Sequence, residues 1–211
     1  MTALILALDV RERDRAMAIA SCCAPHIDAI KIGYPLVLAA GMSVAEELGG
    51  LDLPLIADFK VADIPNTNRL IAGEVFSGGF DALICQGFTG RDSVEACVAT
   101  AHEYGGECYV VTEMSHPGAT EFFHGGTAEK IAGLALECRA DGIIAPATRP
   151  DRVVKLKELV PGLKIFSPGV GAQGGDLDSI AGIVDGIIVG RAIYEAKDPG
   201  IAAEGYARIR Q

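Results

Sequence analysis

The stretch Leu55-Ile56-Ala57-Asp58-Phe59-Lys60-Val61-Ala62-Asp63-Ile64-Pro65-Asn66-Thr67-Asn68 carries Asp58, Lys60 and Asp63 into the end of an apolar run. Paired acids and ammonium groups in one cleft are the equipment of proton transfer and charge stabilisation. On a β-strand alternate residues share a face, so Asp58 and Lys60 point one way with Ile56, while Leu55, Ala57 and Phe59 point the other. An isolated pair of this kind is most often a surface ion pair of little consequence. This one has company. Lys31 lies in a second β-like run, Asp28-Ala29-Ile30-Lys31-Ile32-Gly33-Tyr34-Pro35, with Ile30 and Ile32 on the face opposite to the charge. The first run, Ala3-Leu4-Ile5-Leu6-Ala7-Leu8-Asp9, ends in Asp9, with Leu4, Leu6 and Leu8 in the other phase. Three consecutive strands thus carry charge at or near their C-terminal ends, which in a parallel barrel is where the active site lies.

Two late segments read as an anion cradle. Ser167-Pro168-Gly169-Val170-Gly171-Ala172-Gln173-Gly174-Gly175-Asp176 follows a seventh run, and Ile188-Val189-Gly190-Arg191 an eighth. In these barrels the loops after strands seven and eight commonly hold phosphate through backbone N–H groups and a helix N-terminus. Glycine lets the backbone approach an anion closely, and Arg191 adds a forked, charged donor.

The elements that must position these residues alternate along the chain. Short apolar runs near 3–9, 28–33, 54–60, 81–86, 107–113, 141–145, 163–168 and 184–189 predict eight strands. Segments of 12 to 28 residues with 3.6-type apolar spacing, such as 93–104 and 127–136, separate them. Eight β/α units close most economically into a single-domain (β/α)₈ TIM barrel spanning 1–211. The runner-up is an open doubly wound sheet, but the first β/α turn, Asp9-Val10-Arg11-Glu12-Arg13, lacks the glycine fingerprint of a dinucleotide site. A chain of 211 residues that is 50% hydrophobic buries one sizeable core, and no linker divides it. The N-terminal segment enters a strand without the basic stretch and cleavage site of a signal peptide, and no apolar run is long enough for a membrane helix. The expectation is a soluble cytoplasmic protein with no membrane partner. The formal charge of −10 and the lack of a basic stripe argue against nucleic acid as partner. Cys22, Cys23, Cys85, Cys97, Cys108 and Cys138 show no C-x-x-C spacing, so reduced thiols and no zinc are expected. His26, His102, His116 and His124 are too scattered to suggest a metal cluster.

Taken together these residues resemble the orotidine 5′-monophosphate decarboxylase family, in particular its short, single-domain, archaeal-type branch. The resemblance covers nearly the whole chain. It rests on Leu8-Asp9, Lys31-Ile32-Gly33, Ala57 to Pro65, Thr112-Glu113-Met114-Ser115-His116-Pro117-Gly118, Ser167 to Asp176 and Val189-Gly190-Arg191. The D-x-K-x-x-D motif is shared with metal-dependent sugar-phosphate decarboxylases and aldolase-like relatives, and Lys31 discriminates, because the matching position there is a metal-binding Glu. One departure is Gln86, which stands where the family would place a histidine.

The resemblance implies cofactor-free, metal-free loss of CO₂ from C6 of orotidine 5′-monophosphate, then protonation at C6 to give uridine 5′-monophosphate. A carbanion with no useful delocalisation needs preorganised electrostatics and immediate proton delivery, and Lys60 is the candidate for both. To work, Lys60 must stay cationic inside a closing site. Asp58 and Asp63 would hold it so, in an alternating chain Lys31, Asp58, Lys60, Asp63. The resemblance further implies that Asp9 and Lys31 bind ribose hydroxyls, and that Thr67 and Asp63 reach the site of a neighbouring subunit in a homodimer with shared active sites. Ser115 would hydrogen-bond the pyrimidine edge. Pro168 and Gln173 belong to the substrate-binding loop, and Gln173 and Arg191, with the Gly190 and Arg191 amides, would hold the phosphate. The alternatives are a metal-dependent sugar-phosphate decarboxylase or aldolase on the same barrel, and a catalytically silent nucleotide-binding barrel. Activity in EDTA separates all three.

Overall fold

The computed structural model describes residues 2–171 and 173–210; Met1, Gln211 and Ala172, a member of the glycine-rich motif, lie outside the described residues. The eight predicted strands are all present as β1 (Ala3–Leu8), β2 (Ala29–Gly33), β3 (Leu55–Val61), β4 (Ala82–Gln86), β5 (Glu107–Val111), β6 (Gly142–Ile144), β7 (Lys164–Pro168) and β8 (Gly186–Val189). They pair in parallel in chain order, and β8 returns to β1, closing the barrel. Asp9 and residues 112–113 fall just beyond their strands, where the chain turns into the loops at the C-terminal mouth. Around the barrel run α1 (Arg13–Cys23), α2 (Tyr34–Ala40), α3 (Val44–Gly49), α4 (Pro65–Ser77), α5 (Arg91–Glu103), α6 (Thr120–Phe123), α7 (Thr127–Glu137), α8 (Pro150–Leu159), α9 (Arg191–Tyr194) and α10 (Pro199–Ala207). The β7 to β8 connection departs from the predicted alternation. Its described residues form turns rather than an α-helix, because the glycines at 169, 171, 174 and 175 cost too much backbone entropy in a helix.

The strands are apolar in both phases because both faces are buried. Ile5, Ile56, Ile84, Tyr109, Val111, Ile144, Phe166 and Ile188 fill the lumen. Leu4, Leu6, Leu8, Ile30, Ile32, Leu55 and Ala57 pack outward with the helices in the second layer of core. The phase assignments made for β1, β2 and β3 from the sequence are therefore those observed.

At the N-terminal end an aspartate precedes every second strand: Asp28 before β2, Asp81 before β4, Asp141 before β6 and Asp185 before β8. Each carboxylate accepts a backbone N–H from the preceding strand. The bonds run from Leu4 to Asp28 (2.7 Å), Leu55 to Asp81 (2.8 Å), Cys108 to Asp141 (2.8 Å) and Ile165 to Asp185 (2.9 Å). Each aspartate N–H in turn donates to the carbonyl of that same residue, at 2.8, 2.9, 3.0 and 3.0 Å. Each clasped residue stands one position before the first registered pair with the following strand, so this reciprocal clasp satisfies a donor that the ladder does not reach. The four clasps follow the pattern Asp-Ala-Ile, Asp-Ala-Leu, Asp-Gly-Ile and Asp-Gly-Ile, a fourfold internal repeat.

Candidate active site

The opposite end of β3 breaks step with its neighbour. Ala57 pairs with Leu83, but the next pair is Val61 with Cys85, so β3 carries two more residues than β4 across the irregularity. Asp58, Phe59 and Lys60 occupy this bulge, and Lys60 itself adopts φ +45, a conformation that side-chain-bearing residues rarely take. The chain tolerates this because Phe59 anchors the bulge, stacking on Tyr34 with ring centroids 5.1 Å apart and meeting Phe80 edge-on.

The bulge turns two charges into the mouth, where a third meets them from β2. Asp58 bridges two ammonium groups: Lys31 Nζ lies 2.6 Å from its Oδ2, and Lys60 Nζ 2.6 Å from its Oδ1. Asp9 Oδ1 stands 3.8 Å from Lys31 Nζ on the other side. Lys31 is almost wholly buried and Asp58 nearly so, whereas the Lys60 side chain is 36% exposed at the cavity. Burial pushes the Lys31 pKa down, but Asp58 and then Asp9 outweigh it and the net shift is upward. For Asp58 burial pushes up, Lys31 and Lys60 pull down, and the carboxyl ends below its usual range. Both groups are thus held charged. The observed chain is Asp9, Lys31, Asp58, Lys60, and the sequence reading had assigned Asp9 to the ligand alone.

These residues line a cavity of about 240 Å³ together with Ser115, Pro168, Gln173, Gly190 and Arg191, all predicted site residues. One side is apolar. Ile84, Val111, Ile144 and Ile188, the last apolar lumen-facing residues of their strands, form that wall. The sequence reading missed them, although their phase, shared with the lumen-facing residues below, carries the signal. It also gave no role to Glu113 and Tyr194, which line the cavity too. Glu113 is fully buried between Arg149 (3.1 Å), His124 (3.2 Å) and Arg152. Arg149 also donates to the carbonyls of Met114 and His116, so this cluster braces the loop that carries Ser115. Gln86 lies buried behind Met114, its Nε2 3.8 Å from the Met114 sulfur and its Oε1 without a hydrogen-bond partner among the described residues.

Asp63 and Thr67 are the two predicted site residues that do not line this cavity within the chain. Asp63 is exposed just before α4, its carboxylate accepting the Ile64 N–H at 2.7 Å. Its backbone is fixed by Asn68, whose Oδ1 accepts the Asp63 N–H, and by Ser93, whose hydroxyl donates to the Asp63 carbonyl. Asp63 and Thr67 therefore stand on a rigid shoulder beside the mouth rather than within it.

A closed parallel barrel with an acid and ammonium chain, an apolar wall and a glycine and arginine rim at its C-terminal mouth defines an enzyme of the TIM-barrel class for small anionic ligands. The chain belongs to the orotidine 5′-phosphate decarboxylase / HUMPS family, whose model matches residues 2–206. It is 54% identical over 204 residues to the orotidine 5′-phosphate decarboxylase of Methanosarcina mazei, covering 96% of this chain and 92% of that protein. It is 50% identical over 203 residues to that of Thermococcus kodakarensis, covering 95% and 92%. Among solved structures, the Methanocaldococcus jannaschii orotidine 5′-monophosphate decarboxylase in complex with the inhibitor BMP superposes with a TM-score of 0.95 at 44% identity, covering 99% of this chain and 98% of that one.

Proposed function

We propose that this chain decarboxylates orotidine 5′-monophosphate to uridine 5′-monophosphate and CO₂, a step of pyrimidine biosynthesis, without a cofactor. The observation that carries this reading is the Asp58 carboxylate held between two ammonium groups, 2.6 Å from each, in a cavity that also has an apolar wall. When the C6 to carboxylate bond breaks, its electron pair stays on C6, and a fixed ammonium is the stabiliser such a charge requires. Lys60, the more exposed of the two, delivers a proton to C6 and is reprotonated from solvent. Lys31 and Asp58 hold it in place. Asp9 and Lys31 take ribose hydroxyls, Ser115 takes the pyrimidine edge, and Gln173, Gly190 and Arg191, beside Pro168, take the phosphate. Lys31 also distinguishes this reading from the metal-dependent one, since an ammonium occupies the space between Asp9 and Asp58. The test is loss of substrate absorbance with purified protein in EDTA. Turnover is expected at full rate, and activity only after divalent metal is restored would sink the reading.

Asp63 and Thr67 act across a homodimer, each reaching the partner's Lys60. Supporting this, Ile64 next to Asp63 and Leu70 on α4 are each 65% exposed, an unusual surface for apolar residues. Lys60→Ala and Asp63→Ala enzymes, each impaired alone, should regain up to about half of wild-type activity per mixed dimer, one site being intact by isologous symmetry. Verified heterodimers as inactive as their parents would place Asp63 in its own chain's site. Six free cysteines, five of them buried, fit a reducing cytoplasm.

A further inference from the structure

Gly33 ends β2 and opens α2 with φ −106 and ψ 178, extended backbone that any residue adopts, so conformation does not explain the glycine. Space does. A Cβ placed there would lie 2.7 Å from Asp9 Oδ1, while its next neighbours, Pro35 Cδ and the Asp58 carbonyl oxygen, are at ordinary distances of 3.5 and 3.9 Å. The atom in the way is the tip of a short side chain that is 35% exposed, and it can swing aside. A methyl group at position 33 is therefore inexpensive to the fold. It is costly to the site, because the group that must give way is the Asp9 carboxylate, which stands 3.8 Å from its ionic partner Lys31.

We propose that Gly33 is a positioning residue, kept free of a side chain so that the Asp9 carboxylate can stand beside Lys31 and receive the ribose. This rests on the reading that Asp9 and Lys31 bind the nucleotide. It also accounts for a glycine two residues after Lys31 on the same strand phase: a Cβ there would meet the carboxylate that stands beside the lysine.

A double-mutant cycle with Gly33→Ala and Asp9→Ala, read by uridine 5′-monophosphate affinity, thermal midpoint and a crystal structure of Gly33→Ala, tests the proposal. The structure should show Asp9 turned out of reach of Lys31. The Kd should rise by about tenfold or more, the loss of one hydrogen bond to a charged group. The midpoint should move by less than about 3 °C. In the Asp9→Ala background the same substitution should change Kd by less than about twofold, because the clashing atom is gone. A wild-type Kd in Gly33→Ala, or the full loss repeated without Asp9, overturns the proposal. Should Gly33→Ala fail to fold, recovery in the double variant supports the clash and failure of both overturns it. A wild-type protein that neither binds the nucleotide nor turns over substrate sinks the functional reading instead, and the position of Asp9 in the Gly33→Ala crystal then decides the proposal alone.

Discussion

The two ends of this barrel are both ringed with aspartates, and they use them in opposite ways. At the N-terminal end Asp28, Asp81, Asp141 and Asp185 each take one backbone N–H of a neighbouring strand, and the strands there are regular. At the C-terminal end Asp58 and Asp9 face ammonium groups, and the strand that carries Asp58 is bulged, with Lys60 forced to φ +45. The same side chain ties strand to strand where its partner is an amide and joins a chain of charges at the cavity where its partner is an ammonium group. Stability and strain are thus segregated to opposite faces, as the architecture of such barrels favours.

Substitutions that strike one end and spare the other sharpen this contrast. The largest effect is expected from Lys60→Ala, which on the proposed reading removes both the stabilising charge and the proton donor. Turnover should fall by about ten-thousandfold or more while product still binds and the thermal midpoint holds. A variant keeping more than about a tenth of kcat would remove Lys60 as the proton donor. Next comes Arg191→Ala, whose loss should raise KM by about tenfold to a hundredfold with a smaller fall in kcat. An unchanged KM for the phosphorylated substrate would end the phosphate assignment.

At the other end the prediction reverses. Asp81→Ala orphans the Leu55 N–H and should lower stability by about 1–3 kcal/mol, a drop of several degrees in thermal midpoint, with kcat within about twofold of wild type. Asp81→Asn, whose amide oxygen still accepts, should lose less. If Asp81→Ala slows turnover as much as it lowers the midpoint, the two ends are not separable. The smallest effect concerns the strain itself. Lys60→Gly should be more stable than Lys60→Ala by about 1 kcal/mol, since glycine alone adopts positive φ freely. Equal midpoints in chemical denaturation would show that the bulge carries no strain.

Much of this molecule was legible in the chain because its signals are local. Short apolar runs marked all eight strands, alternation gave the phases of the first three, and charges at strand ends marked the mouth, since a period of two and the direction of a parallel strand need no knowledge of distant partners. The cavity duly gathers Asp9, Lys31, Asp58, Lys60, Ser115, Pro168, Gln173, Gly190 and Arg191. What only the tertiary structure decided depends on residues far apart in sequence. The two-residue slip of β3 against β4 exists only in the paired sheet, and Lys60 sits within it at φ +45. Glu113 reads as one more acid until Arg149 and Arg152 fold over it from the next β/α unit. The four aspartate clasps look like strand-leading polar residues until strand pairing brings an early amide of each preceding strand within 2.9 Å. The pairing of β1, β2 and β3 also puts Asp9, Lys31 and Asp58 around one point, where the carboxylates hold Lys31 charged and Lys31 helps hold Asp58 charged. Local pattern determines which face each side chain takes; the register and closure of the sheet determine which other charges it meets there.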